Sequence, residues 1–422
     1  MKRVSLKLPA GMVLGLAACT ASANGLRVLS QDGYATARGE AFAATADNAS
    51  AIYYNPAGIT QIDGTELRAG LYNIYLEPAF RQPPGPANTG QTYDTTKHFA
   101  AVPQLFVTHT FKDSPVSVGL GIYAPFGGAI AWPDDTGFRA VAERGSVTYL
   151  RFNPVVAFKL GDYVSFGGGV SANYVRINLE QGLRPLAAPL ENFFHYTADG
   201  WAAGANFGLL VKPCDELSFG ATVRTKTSFN LEGNTIFEQQ PFIGKTEIPA
   251  SANFGFPLTA TFGVSYRPTP KWNIEFDADY ADWSSFDTVT IRQRGTPPFP
   301  LQQNIPVKFG WQESWNYELG ATYTFDSGWH ASAGYIFSEN SVPDTYYTPL
   351  AADMDRHFFS LGVGRNGKKF DFDVTYQLGY GPDHTVSGSS PSSTPGFFAG
   401  QNANGTYAFI SHAILVSVGM HF

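Results

Sequence analysis

Gly362-Val363-Gly364-Arg365-Asn366-Gly367 has the G-x-G-x-x-G spacing that lets a strand-to-helix turn cradle a dinucleotide phosphate. That chemistry requires a helix after the last glycine. Here the residues from Phe370 alternate with period two, so the hexapeptide is expected to be a hairpin turn. The eight histidines are scattered without metal-ligand spacing, and no Gly-x-Ser-x-Gly is present. Ser411 with His412, or His330 with Ser332, could be assembled across strands into a lipase, but nothing in their surroundings marks them. No catalytic residue, cofactor or metal is therefore expected. A net charge of −7 without a basic cluster also argues against a nucleic-acid partner.

The elements behind these residues are strands. Charged residues make up 15% of the 422, against roughly 25% in an ordinary soluble domain, while aromatics also reach 15% and glycine numbers 44. Trp272, Ile274, Phe276, Ala278 and Tyr280 alternate with Asn273, Glu275, Asp277 and Asp279. Phe370 to Tyr380 and Ile410 to Phe422 repeat the pattern, one face apolar and the other wet. About fourteen such strands are expected, starting near residues 65, 98, 115, 147, 163, 200, 216, 254, 271, 312, 328, 356, 369 and 407. Short turns such as Gly161-Asp162 and Asp326-Ser327-Gly328 alternate with long loops near 81–97, 127–145, 181–199, 233–253, 294–311, 339–355 and 382–406. The fold class is thus all-β: an antiparallel transmembrane barrel over 64–422, with Trp201, Trp272, Trp283, Trp311, Trp315 and Trp329 as interfacial girdles. A soluble sandwich is the competing reading, but it needs two packed faces. Lys2-Arg3, the apolar stretch Leu8 to Ala18 and Ala21-Ser22-Ala23 read as a signal peptide over 1–23; Cys19 leaves a lipoprotein site as the alternative.

Residues 24–63 lack strand periodicity and are alanine-rich. They are too few to fold alone and are expected to plug the lumen. Within them stand Gly39-Glu40-Ala41, Asp47-Asn48-Ala49-Ser50 and Asn55-Pro56-Ala57-Gly58. Further on come Gly121-Ile122-Tyr123-Ala124-Pro125-Phe126-Gly127, Asp282-Trp283-Ser284-Ser285-Phe286, Trp311-Gln312-Glu313-Ser314-Trp315-Asn316-Tyr317, Ser341-Val342-Pro343-Asp344 and Asp353-Met354-Asp355-Arg356. This ordered set, spread over nearly the whole mature chain, resembles the FadL/TodX (OMPP1) family of outer-membrane transporters. The resemblance implies a fourteen-stranded barrel with an N-terminal hatch that imports long-chain fatty acids or aromatic hydrocarbons.

Several residues acquire expected roles on that basis. Asn55, Pro56, Ala57 and Gly58, with Asp47, are expected to anchor and gate the hatch. Leu186, Leu190, Phe193, Phe194, Phe237 and Phe242 give the long loops an apolar content suited to ligand capture. Gly119, Gly121 and Pro125 are candidates for a break in the wall, because Gly and Pro interrupt ladders. An acid ligand needs a buried cation: Arg176 is the first candidate, with Arg151 and Lys308 as others. The expected partners are a hydrophobic small molecule, outer-membrane lipid and lipopolysaccharide, and barrel-insertion machinery reading the strand that ends at Phe422, for a monomer. A general porin and a structural or adhesive surface barrel are the rival functions.

Overall fold

The computed structural model describes residues 24–84, 90–182, 193–239, 244–297, 301–390 and 401–422. The expected leader, and Leu186, Leu190 and Phe242, lie outside them. Fourteen antiparallel strands follow one another: β1 (Thr65–Arg81), β2 (Thr92–Asp94 and Phe99–Thr110), β3 (Val116–Tyr123 and Gly127–Ala131), β4 (Arg144–Leu160), β5 (Val164–Gly182), β6 (Phe193–Cys214), β7 (Leu217–Arg224 and Thr227–Gln239), β8 (Gly244–Phe256 and Leu258–Thr269), β9 (Trp272–Asp282 and Thr288–Gln293), β10 (Asn304–Lys308 and Ser314–Thr324), β11 (Trp329–Ser338), β12 (Arg356–Arg365), β13 (Phe370–Val386) and β14 (Gly405–His421). Each pairs with the next, and β1 pairs with β14 from Glu66↔His421 to Arg81↔Thr406, which closes the barrel and leaves no edge.

The alternation sets the faces as expected. On β9, Ile274 and Phe276 are exposed outward while Glu275, Asp277 and Asp279 are buried inside. Gly362 and Gly364 belong to β12, and the turn after them leads straight into β13. Two expectations are corrected. Residues 233–253 are not a long loop: β7 runs to Gln239 and β8 starts at Gly244. There the outward face is polar, so the two-colour signal that marks a lipid-facing strand fades. Trp283 and Trp311 are not girdle residues either; both are buried inside, whereas Trp201, Trp272 and Trp329 are exposed.

Residues 24–62 contact inward-facing side chains around the barrel. They contain two short helices, α1 (Gly33–Ala37) and α2 (Ala51–Tyr54), and a 3₁₀ turn, Pro56–Gln61. The Asp32 carboxylate caps α1 by accepting the Tyr34 and Ala35 N–H groups. It also pairs with Nε of Arg68 of β1, whose Nη2 meets Asp373 of β13 at 2.5 Å.

Candidate functional site

The interior divides into an apolar half and a polar half. Toward the long-loop end, inward residues of many strands join Tyr347, Ala351 and Met354 in one buried hydrophobic cluster. This cluster leaves a small cavity, lined among others by Leu26, Val147, Phe254, Phe286, Phe309 and Trp311. The aliphatic and aromatic lining suits an apolar ligand. Phe194 and Phe237 face each other in register and are buried in the same cluster, and Phe193 is half-buried at the start of β6. All three are therefore strand residues rather than loop residues, and Phe194 and Phe237 face the upper lumen.

The first residues of the inner segment form one side of this cavity. Leu26 lines it, and Asn24 accepts the Trp283 indole N–H through Oδ1 at 2.7 Å. Gly25 donates its N–H to Asp353 Oδ2 at 3.0 Å. Its φ of +72°, and the 2.6 Å separating a would-be Cβ from Trp311, leave room for glycine alone.

Below the cavity, polar wall groups hold the segment. Asp277 Oδ2 accepts the N–H groups of Phe42 (2.9 Å) and Ala43 (2.8 Å), and Glu275 Oε1 accepts those of Ala44 (2.7 Å) and Thr45 (3.2 Å). Arg38 pairs with Glu275 at 3.1 Å, and Arg27 with Asp279 at 2.5 Å. Asn55 donates from Nδ2 to the carbonyls of Ala43 (2.8 Å) and Leu209 (2.9 Å), while its Oδ1 accepts the Ala57 N–H. Pro56 lies against the wall where glycines stand. A Cβ on Gly167 would fall 2.6 Å from its carbonyl carbon, and one on Gly208 would fall 2.8 Å from its Cδ. Gly167 of the Gly167-Gly168-Gly169 run, with Gly208, thus serves close approach by Asn55-Pro56-Ala57. Gly58 packs on Ala46; Asp47 is exposed, 3.9 Å from Arg267.

The strand β3 is interrupted at Ala124–Phe126, and Pro125 sits in the interruption. Val28 donates its N–H to the Pro125 carbonyl, and Gly127 donates to the Leu26 carbonyl, both at 2.9 Å. Pairing between β2 and β3 stops at Leu105↔Ile122, so Phe99–Gln104 run beside the interruption without register partners on β3. Gly119 and Gly121 instead lie in the paired portion. A Cβ at either would meet Ile52 of α2 within 3 Å, so these glycines make room for the inner segment.

Arg176 lies on the outward face of β5, exposed, between the buried Val175 and Ile177; it does not reach the lumen. Lys308 is ion-paired with Asp287. Arg151 is inside, donating to Asn173 and Tyr149. Sequence reasoning missed Arg356. It is 1% exposed, stacks on Phe409 with 3.8 Å from Cζ to the ring centroid, and donates to the Ala352 carbonyl. Its Nε and Nη1 have no hydrogen-bond partner. Leu350 and Ala351 of the loop it supports line the cavity.

Glu40 sits at the centre of the polar half, with its backbone in the left-handed region at φ +65°. Its carboxyl meets Tyr54 OH at 2.5 Å and Ser30 Oγ at 3.0 Å, and it lines a small cavity together with Asp277, Asp279, Glu318 and Arg224. Burial, only partly offset by the hydrogen bonds from Tyr54 and Ser30, pushes its pKa up to about 7. A carboxyl raised in the docked state favours docking fully below its ordinary value of 4.5, and that favour is lost as pH climbs to about 7. The loss is about 3 kcal/mol. Ion leak through the barrel is expected to grow between pH about 4.5 and about 7.5, and Glu40→Gln to flatten the profile. Planar-bilayer recordings check this, and a pH-independent leak in the parent chain would count against it.

A closed barrel that holds an apolar cavity and a strand interrupted beside it defines the class: a transmembrane β-barrel built around its own N-terminal segment. The family described as Outer membrane protein transport protein (OMPP1/FadL/TodX) matches residues 14–421, and the chain belongs to that family. It is therefore an outer-membrane protein of a family of hydrophobic-substrate transporters. The long-chain fatty acid transport protein of Escherichia coli K12 is 23% identical, over 76% of this chain and 79% of that protein. A putative outer membrane protein of Neisseria meningitidis serogroup B is 24% identical over 86% and 88%. Among solved structures, a Pseudomonas aeruginosa FadL homologue superposes with a TM-score of 0.81 at 18% identity, covering 94% of this chain and all of that one. The Ralstonia pickettii toluene transporter TbuX gives 0.66 at 16%, covering 94% and 100%.

Proposed function

We propose that the protein admits long-chain fatty acids or aromatic hydrocarbons by passive, downhill uptake, and that the inner segment is a hatch. The observation that carries this reading is the position of Leu26. It lines the apolar cavity, and its carbonyl accepts the Gly127 N–H where β3 is interrupted. A ligand filling the cavity presses on the same backbone that seals the wall. Capture at the long-loop rim would be followed by transfer into the cavity, where each buried CH₂ contributes about 0.8 kcal/mol. Displacement of Leu26–Val28 would then free the interruption for lateral release into the bilayer, with Asn55 and Pro56 keeping the remainder docked. Mass spectrometry of the purified barrel is expected to find a bound apolar molecule. A steady large conductance with nothing bound would favour the porin reading. Asn55→Ala removes two donations and one acceptance at a site of backbone contact, a loss of about 2–3 kcal/mol in docking. It is expected to lower uptake of labelled fatty acid at equal barrel abundance; unchanged uptake would remove the gating role.

Arg356 favours an acid over a neutral hydrocarbon, because two buried guanidinium donors without partners stand behind the cavity floor. Arg356→Met is expected to weaken binding of a long-chain acid by about tenfold or more while leaving the alcohol of equal length unchanged. Equal loss for both would show that the residue acts on the loop and not on the ligand.

A further inference from the structure

The rim where the chain closes on itself holds a cluster of ligand-type side chains that the transport pathway does not use. Glu66 is at the start of β1, Asp371 at the start of β13 and His421 at the end of β14. Register sets Glu66 opposite His421 across the closing seam and Asp371 opposite Gly419. One potential ligand atom from each of the three lies within 4.8 Å of the other two.

Glu66 is 1% exposed, and its two oxygens differ. Oε2 accepts the Ala49 N–H of the inner segment at 3.1 Å, whereas Oε1 has no hydrogen-bond partner. That oxygen lies beside the backbone of Gly419, where a Cβ would stand 3.2 Å from Arg68 Nη1, 3.3 Å from Oε1 and 3.5 Å from the Asp371 Cβ. His421 Nε2 lies 2.6 Å from Asp371 Oδ2. The His421 and Asp371 side chains are 30% and 15% exposed, which gives an ion a way in from the water at the rim.

Charge in the neighbourhood is unbalanced. Arg68 Nη1 is 4.0 Å from Glu66 Oε1, but the same guanidinium already serves Asp32 and Asp373. Glu66, Asp371, Asp32 and Asp373 thus share one guanidinium and the imidazoles of His330 and His421. A buried carboxylate oxygen with no donor, beside a second carboxylate and an imidazole, has the composition of a divalent-metal site.

We propose that Glu66, Asp371 and His421 bind a borderline divalent transition-metal ion such as Zn²⁺. One imidazole with two carboxylates suits Zn²⁺ better than Mg²⁺ or Ca²⁺, which take all-oxygen shells, and water completes the coordination. The ion would clasp the first strand to the last two. Through Ala49 it would also fix the foot of the inner segment to the closing seam. All four elements that meet there would then share one bond network independent of any transported ligand.

The test uses the whole mature barrel in detergent, without tag histidines, stripped by chelation and dialysed against Zn²⁺. One Zn²⁺ per barrel is expected, with His421→Gln, Asp371→Asn and Glu66→Gln each weakening binding by at least about tenfold. X-ray absorption on the parent is expected to show one imidazole ligand that His421→Gln removes. Heat-modifiable migration reports whether each variant is folded; Asp371 and His421 are part-exposed rim residues, so their variants keep the test decisive if Glu66→Gln does not fold. Absence of stoichiometric Zn²⁺, or equal binding by the parent and the folded variants, would overturn the site.

Discussion

Replacing Glu275 and Asp277 together by alanine should release residues 38–46 from the wall while the barrel stays closed. Four consecutive N–H groups, from Phe42 to Thr45, end on these two carboxylates, and Arg38 ends on Glu275. A hydrogen bond to a charged acceptor contributes about 1.5–3 kcal/mol, so losing four removes roughly 6 kcal/mol or more of local docking. Both carboxylates point inward, and the outward Ile274 and Phe276 that meet lipid are untouched. Amide exchange in residues 42–45 is expected to accelerate by about four powers of ten, with strand amides unchanged. Slow exchange at those amides in the double variant would mean that apolar contacts of Phe42, and not the carboxylates, hold the segment.

The second large effect is steric. Gly220 of β7 and Gly334 of β11 stand where the inner backbone touches the wall. A Cβ on Gly220 would lie 2.0 Å from the Ala43 carbonyl oxygen, and one on Gly334 would lie 1.9 Å from the Gly39 nitrogen. No rotamer relieves a clash between Cβ and backbone, so either the strand or the segment must yield. The strand is held by ladders on both sides; the segment is held by side chains. Gly220→Val and Gly334→Val are each expected to displace the segment and give a steady ion conductance where the parent is nearly silent. A silent Gly334→Val barrel of normal heat-modifiable migration would show that the contact region adapts more readily than its backbone geometry implies.

The wall was readable because its two solvents differ. Where lipid lies outside and polar groups inside, as at Phe276 and Asp277, alternation shows both the strand and its facing. At the long-loop end that contrast collapses. Val175 and Ile177 point into an apolar lumen, so an apolar residue no longer identifies the outer face, and Arg176 was assigned to the wrong side. The same inversion concealed Phe194 and Phe237, which read as loop residues because apolar character there does not mean lipid. Asn55-Pro56 was legible as a motif, but its partners Gly167 and Gly208 are distant in sequence and acquire meaning only from the backbone approach. Arg356 is visible in the sequence as the end of Asp353-Met354-Asp355-Arg356, but nothing there marks it as a buried cation; its orphaned donors do.

The seam between β1 and β14 also orders events during biogenesis. The residues that fill the interior precede β1, while the strand that completes the cylinder is the last one synthesised. Passing a folded coil through a finished tube would break its bonds to Glu275, Asp277 and Leu209 and then remake them in a confined space. The economical sequence is for the leading residues to settle on a still-open, curved sheet, which then wraps them and zips shut at Phe422. Stopping synthesis before the final strand should thus leave an unsealed intermediate whose contents can still exchange with the periplasm.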